Sequence, residues 1–277
     1  MLTSFSSLNL APQSYGKSFV IPDIAIVNLP KITFAKQQWN NMAFTINKTA
    51  ELTTIVVDSD NLKGSLSIPK QGDWQAKINY LYFNPETSFQ QQNYVAINNV
   101  AQRYDISAWP NMNIYCSECW LAGYKLGELK AQVIRNRQTL ILKEGSLINS
   151  STDLKISGMW HADQQNSTTI KGILKGNQFD DLAAYYGILV PIKQAPFKID
   201  FDLNWAAVPW QPDVASLNGN LSFKLAKGAI AQMGGGGAGQ LLRFISFDAL
   251  LRKLQLDFSD IFSDDFAFLM PFGVTPI

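Results

Sequence analysis

Protein chemistry needs groups that attack, hold a metal or move a proton, and this sequence offers few of them. The two cysteines stand together in "CSECW", as Cys116 and Cys119. Such a CxxC pair serves as a redox motif, as half of a zinc site or as a local disulfide. Zinc needs four ligands, and the chain has one histidine, His161, and no second cysteine pair. Thioredoxin-like redox work places the motif where a strand enters a helix, but here it follows "NMNIY", an alternating strand. Two readings stay open: structural thiols, or a disulfide if the compartment is oxidising.

His161 lies in "MWHADQQN", a polar turn after a strand, and reads as a solvated turn residue and not as a general base. No GxSxG elbow, HExxH or P-loop is present. "GGGGAGQLL" has the look of a phosphate loop, but it lacks the Gly-Lys-Ser/Thr ending and a strand-helix-strand setting. Asp257, Asp260, Asp264 and Asp265 cluster in "LDFSDIFSDDF" without the central glycine of a calcium loop, so Asp260 reads as a turn cap. The sequence therefore predicts no catalytic residue, no metal, no cofactor and no enzyme.

The elements that would position any site come from composition and periodicity. Of 277 residues, 47% are hydrophobic and 16% charged, against roughly 25% charged in ordinary soluble domains. Asn, Gln, Ser and Thr fill the difference. The net charge of +1 gives no electrostatic footprint for nucleic acid, and there are no basic clusters for anionic head groups. No apolar run approaches the roughly 20 residues that span a bilayer. The opening "MLTSFSSLNLAPQSYGK" lacks a basic start and an h-region, so it is not a signal peptide. On these grounds alone the chain is expected to be cytosolic or a piece of a longer protein.

Most of the chain alternates with period two, the mark of strands with one buried face. In "FKIDFDLNW", Phe197, Ile199, Phe201, Leu203 and Trp205 point one way, and Lys198, Asp200, Asp202 and Asn204 the other. "LNGNLSFKL" repeats this with Leu217, Leu221, Phe223 and Leu225. "LKGSLSI" gives Leu62, Leu66 and Ile68; "WQAKINYLY" gives Trp74, Ala76, Ile78, Tyr80 and Tyr82; "DLKISGMW" gives Leu154, Ile156 and Trp160. Turns such as "KQGDW", "LAGYKLG", "KEGS" and "LKGN" separate the runs, which predicts antiparallel structure. Two stretches break the pattern. "NQFDDLAAYYGI" spaces Phe179, Leu182, Ala183 and Tyr186 helically, with Gly187 as a C-cap. After Gly234 to Gly237, "GQLLRFISFDALLRKLQLDFSDIF" reads as helix, helix, strand, with Leu241, Leu242, Ile245, Leu250 and Leu254 on its apolar stripe.

These residues carry a resemblance. "FDLNWAAVPWQPDVASLNGNLSFKLAKG" followed by "GAGQLLRFISFDALLRKLQLDFSDIF" resembles the carboxy-terminal region of the YhdP family of AsmA-like proteins of Gram-negative bacteria. The shared pattern is Trp205, Pro209 and Trp210, Leu217 to Gly219, Lys227 and Gly228, Ala238 to Leu242, Ser246 to Leu250, Arg252 to Leu254 and Asp257 to Asp260. "CSECWLAGYKLGEL", "DLKISGMW" and "FDDLAAYYGILVPIK" fit as well. The likeness is specific from about Trp109 to Phe268. It divides the chain into a β-groove segment, 1–108, a YhdP-like segment with the helical element, 109–268, and a non-matching tail, 269–277. The tail "LMPFGVTPI" reads as out of frame. Family members begin with an inner-membrane anchor and run past a thousand residues, so a fragment of a split gene is expected.

The resemblance implies a mainly β fold: an elongated, curved antiparallel sheet forming an open apolar groove, with short helices near 179–187 and 240–254. It implies a periplasmic, envelope-spanning role in lipid transport and in the outer-membrane permeability barrier. Phospholipid would pass between inner and outer membranes along the groove, with no nucleic acid involved. The expected lipid-binding lining is Trp74, Ile78, Tyr80, Leu154, Ile156, Trp160, Phe197, Ile199, Phe201, Leu203, Leu221, Phe223 and Leu225. The stripe Leu241, Leu242, Ile245, Leu250 and Leu254 is expected to cap the groove. The competing expectation is a non-catalytic structural or partner-binding β domain in which the same residues close a core.

Overall fold

In the computed structural model, residues 2–4, 8–9, 23–35, 37–85, 106–163, 166–185, 192–210, 212–213, 215–226 and 229–230 are described. The expected helical element at 240–254, with Leu241, Leu242, Ile245, Leu250 and Leu254, lies outside them, as do the acidic cluster and the tail.

The strands follow in chain order. The first seven are β1 (Leu2–Ser4), β2 (Leu8–Asn9), β3 (Ile24–Phe34), β4 (Gln37–Lys48), β5 (Leu52–Asp58), β6 (Leu62–Pro69) and β7 (Trp74–Phe83). Five more precede the helix: β8 (Met112–Leu121), β9 (Tyr124–Asn136), β10 (Thr139–Ile148), β11 (Thr152–His161) and β12 (Ser167–Gly176). Then come the helix α1 (Phe179–Tyr185) and the strands β13 (Ile192–Lys193), β14 (Phe197–Trp205), β15 (Asn218–Leu225) and β16 (Ala229–Ile230). Fourteen strands form a single sheet in nearly sequential order, β1-β3-β4-β5-β6-β7-β8-β9-β10-β11-β12-β14-β15, with β2 also on β3. β13 and β16 make a separate two-stranded ribbon. Short polar turns between alternating runs make neighbours pair as hairpins, so the sheet is mainly antiparallel. The long strands β7 and β8 pair in parallel, and β1 and β2 lie parallel on β3.

One face is apolar and the other polar, as the alternation predicts. On the polar face, Lys171 meets Asp202 across two strands at 2.9 Å and Lys63 meets Asp58 at 3.2 Å. The expected helix near 179–187 is present as α1 over 179–185, with Asp180 and Asp181 in its first turn, where negative charge suits the helix dipole.

The alternation expected through Tyr80 and Tyr82 is corrected by a bulge. Gly64 faces Ile78, but the next residue, Lys63, faces Tyr80. The extra residue on β7 shifts the parity of everything after it. Tyr80 and Tyr82 therefore lie on the polar face, while Leu81 and Phe83 take the apolar one. β8 carries a matching bulge. Ile78 faces Cys116 and Leu81 faces Cys119, with two residues between on each strand. The hydroxyl of Ser117 donates to the Asn79 carbonyl at 2.7 Å, tying the two bulges together. Because both strands shift at one level, the apolar face continues across them unbroken. Cys116 and Cys119 flank the β8 bulge on that face and are bonded to each other.

Candidate functional site: an apolar trough across the sheet

Registers place one residue from each of twelve strands in a single line. From β3 to β15 it runs Ala25, Ile46, Ile55, Leu66, Ala76, Ile114, Ala131, Gly145, Ile156, Gly172, Phe201 and Leu221. No member has a polar side chain. A second line two residues along is also apolar: Val27, Phe44, Val57, Gly64, Ile78, Cys116, Leu129, Leu147, Leu154, Leu174, Ile199 and Phe223. On the other side a shorter line runs Trp74, Met112, Val133, Leu142, Gly158, Ile170, Leu203 and Gly219. With strands about 4.8 Å apart, eleven spacings make an apolar band about 50 Å long. That far exceeds one leaflet of hydrocarbon, half of the roughly 30 Å bilayer core.

No described residue covers the middle of this band. Ile156, Phe201, Leu203, Ile199 and Leu154 are only half-buried, and Leu221 is 50% exposed. A cavity of about 1270 Å³ follows the first line from Ile114 to Leu221. From β9 to β15, each contributing strand supplies its apolar-face residue and the chain neighbours on either side. The floor is low where Gly145, Gly172 and Ala131 stand. At Gly172 a Cβ would come within 2.4 Å of the Phe201 ring and 2.6 Å of the Lys155 carbonyl, so the ring already occupies the space above that glycine. In a closed core these side chains would be sealed by a second layer; among the described residues none covers them.

The ends of the strands are walled. At one rim Ile106, Leu140, Trp160, Ala162 and Val208 are buried together, with Trp109 and Trp210 against them. Trp160 meets Trp210 edge to face at 5.1 Å, Trp205 Nε1 donates to the Val208 carbonyl at 2.9 Å, and Thr168 donates to the Ala207 carbonyl at 2.7 Å. At the other rim α1 lays Phe179 and Ala183 onto Phe197, Ile199 and Phe223. At the first strands, Leu29, Ile32, Trp39 and Met42 form a third cluster on the same face. The result is a trough walled along part of each long side.

Of the thirteen residues expected to line a groove, twelve share this face, and Tyr80 does not. Trp160 and Phe197 are sealed in the rim clusters, at 3% and 4% exposed; the other ten are not. The expectation missed most of the floor. Ala25, Ala131, Gly145 and Gly172 carry little apolar signal, Ile46 and Ile55 lie in strands that the alternation did not single out, and only the strand registers bring all six into line.

The electrostatics lie on the other face. Glu118 accepts from Trp120 Nε1 and pairs with Lys125 at 3.1 Å, which holds its carboxyl below the ordinary value. Glu128 is lowered in the same way by Lys130 and then Tyr115, and Lys130 is raised by Glu128. Among the described residues no His, Cys, Asp and Glu group could hold a metal, and no helix is long and apolar enough to cross a membrane.

A family model described as "YhdP protein" matches residues 3–269. Among curated proteins, the intermembrane phospholipid transporter YhdP of Escherichia coli (strain K12) is 34% identical over 261 residues. That match covers 93% of this chain and 21% of the relative, so the chain spans about a fifth of it. No solved structure matches the chain.

Proposed function

The chain belongs to the YhdP family, and from that premise we propose that its trough shelters phospholipid acyl chains on their way between the inner and outer membranes. The observation that carries this reading is the uninterrupted apolar line over twelve strands, which no described residue covers along its middle. Burying a methylene is worth about 0.8 kcal/mol, so two acyl chains of about sixteen carbons would cost more than about 20 kcal/mol to hold bare in water. An open apolar band removes that penalty without enclosing the lipid, and the head group stays in water above it. The step is transfer, and no bond is made or broken in the trough. The Cys116–Cys119 disulfide suits an oxidising compartment, which supports a periplasmic location.

The test is site-specific photo-crosslinking in cells, with the crosslinking residue at Ile156 or Leu221 in the trough and at Lys77 or Lys224, exposed on the polar face and away from the cavity. Phospholipid adducts at the first pair and none at the second are expected. Equal labelling on both faces, or none in the trough, refutes the proposal.

A further inference from the structure

The β3–β4 hairpin outruns its neighbours. β5 pairs with β4 only as far as Asp58 opposite Ala43, so residues 29–35 and 37–42 project past the turn at Ser59–Asn61. Asn41 sits between the Leu29–Met42 and Lys31–Asn40 pairs with φ 53 and bends the projection. Asn41 donates from Nδ2 to Asp60 Oδ2 at 3.0 Å, and the Asp60 N–H donates to the Asn40 carbonyl at 3.3 Å, which fixes the bend over that turn.

Beyond the bend, the hairpin lies on the apolar face. Leu29, Ile32, Trp39 and Met42 are only 5–6% exposed and pack with Leu62, Leu81 and Phe83. Trp39 stacks on Phe83 at 6.2 Å, and its Nε1 donates to the Phe34 carbonyl at 3.0 Å. Gln37, 4% exposed, is held at both ends of its amide. Its Nε2 donates to the Tyr82 carbonyl at 2.9 Å, and its Oε1 accepts from the Asn84 N–H. Both partners are at the end of β7, and β5 and β6 lie between β7 and β4 in the sheet. A side chain of β4 reaches β7 only because the hairpin arches over the two strands between. The open cavity stops short of this arch: its lining begins at β8, and no residue of β3 to β7 contributes.

We propose that the β3–β4 overhang is a lid on the rim-side half of the trough over β5 to β7, latched by Gln37. Building on the phospholipid reading above, the lid holds acyl chains to the β8–β15 section and admits them beneath it only when Gln37 releases β7. A backbone-to-amide latch suits this role, because both groups it frees can be satisfied by water when the lid lifts.

The test places a photo-crosslinking residue at Leu62, under the lid, or at Ile156, in the open section. It uses the whole chain in its cellular setting, with folding checked by thermal melting. In the otherwise unaltered chain, phospholipid adducts are expected at Ile156 and not at Leu62. Gln37→Ala is expected to raise the Leu62 yield about thirtyfold, the factor for two net hydrogen bonds lost at about 1 kcal/mol each, and to leave Ile156 unchanged. Adducts at Leu62 equal to those at Ile156 before any change overturn the lid, and an unchanged Leu62 yield in Gln37→Ala overturns the latch. The first comparison needs no latch variant, so it decides even if Gln37→Ala fails to fold. Absence of adducts at Ile156 as well refutes the phospholipid reading itself.

Discussion

Replacing Phe201 by aspartate separates an open trough from a closed core. Phe201 stands in the central line between Gly172 and Leu221, half-buried, with its ring over Gly172 and its outer side on the cavity. Full burial of such a ring is worth 1.5–3 kcal/mol, so a half-buried one forfeits about 1–1.5 kcal/mol. Aspartate is poor in strands, on a scale spanning about 1 kcal/mol. The new carboxylate faces solvent and keeps most of its hydration, so the total is about 2–2.5 kcal/mol. At 2–4 °C per kcal/mol for a chain of this size, the melting temperature should fall by about 5–10 °C with cooperative unfolding retained. A carboxylate driven into a sealed interior would cost several kcal/mol more and remove most of the ordinary stability margin. The same substitution should strip lipid from the neighbouring site. Displacing two methylenes at about 0.8 kcal/mol each lowers occupancy roughly fifteenfold. Circular dichroism melting and phospholipid crosslinking at Ile156 read the two effects on one variant. Loss of cooperative folding, or undiminished crosslinking in a folded variant, would refute the reasoning.

Three further outcomes follow from the structure. Cys116→Ser with Cys119→Ser should lower stability by about 2 kcal/mol, the chain-entropy value for so short a loop, measured by urea unfolding against the oxidised chain. Gly127→Ala should cost more than about 2 kcal/mol, because Gly127 has φ 95 and a Cβ there would lie 2.2 Å from the Ile148 carbonyl; the readout is the melting temperature. Glu118 and Glu128 are held below the ordinary value of 4.5. Their contribution to stability is therefore complete at neutral pH and is lost as the pH falls through their depressed values; Glu118→Gln with Glu128→Gln should flatten the acid limb of the stability profile.

Much of the architecture was legible in the residues. "FKIDFDLNW" and "LNGNLSFKL" assign their own inner and outer sides because side chains alternate on any extended backbone, whatever it pairs with. The same rule failed at Tyr80. A bulge is a property of two strands together, and nothing in "WQAKINYLY" marks the extra residue, since its partner Lys63 lies sixteen or more positions away in a separate run. The trough floor escaped notice for a related reason. Glycines and alanines carry little apolar signal, and they become a floor only when the registers set Gly145 and Gly172 on either side of Ile156.

By itself, then, the order of amino acids determined a chain of amphipathic strands with one oily side, few groups able to do chemistry and a family membership. Tertiary structure alone decided that the oily sides align over twelve strands, that paired bulges keep them aligned through a parallel junction, and that a hairpin arches over part of the band. The division has one physical cause: alternation is written into each strand's own backbone geometry, whereas register, bulge and overhang are energies of contact between segments that meet only when the sheet has formed.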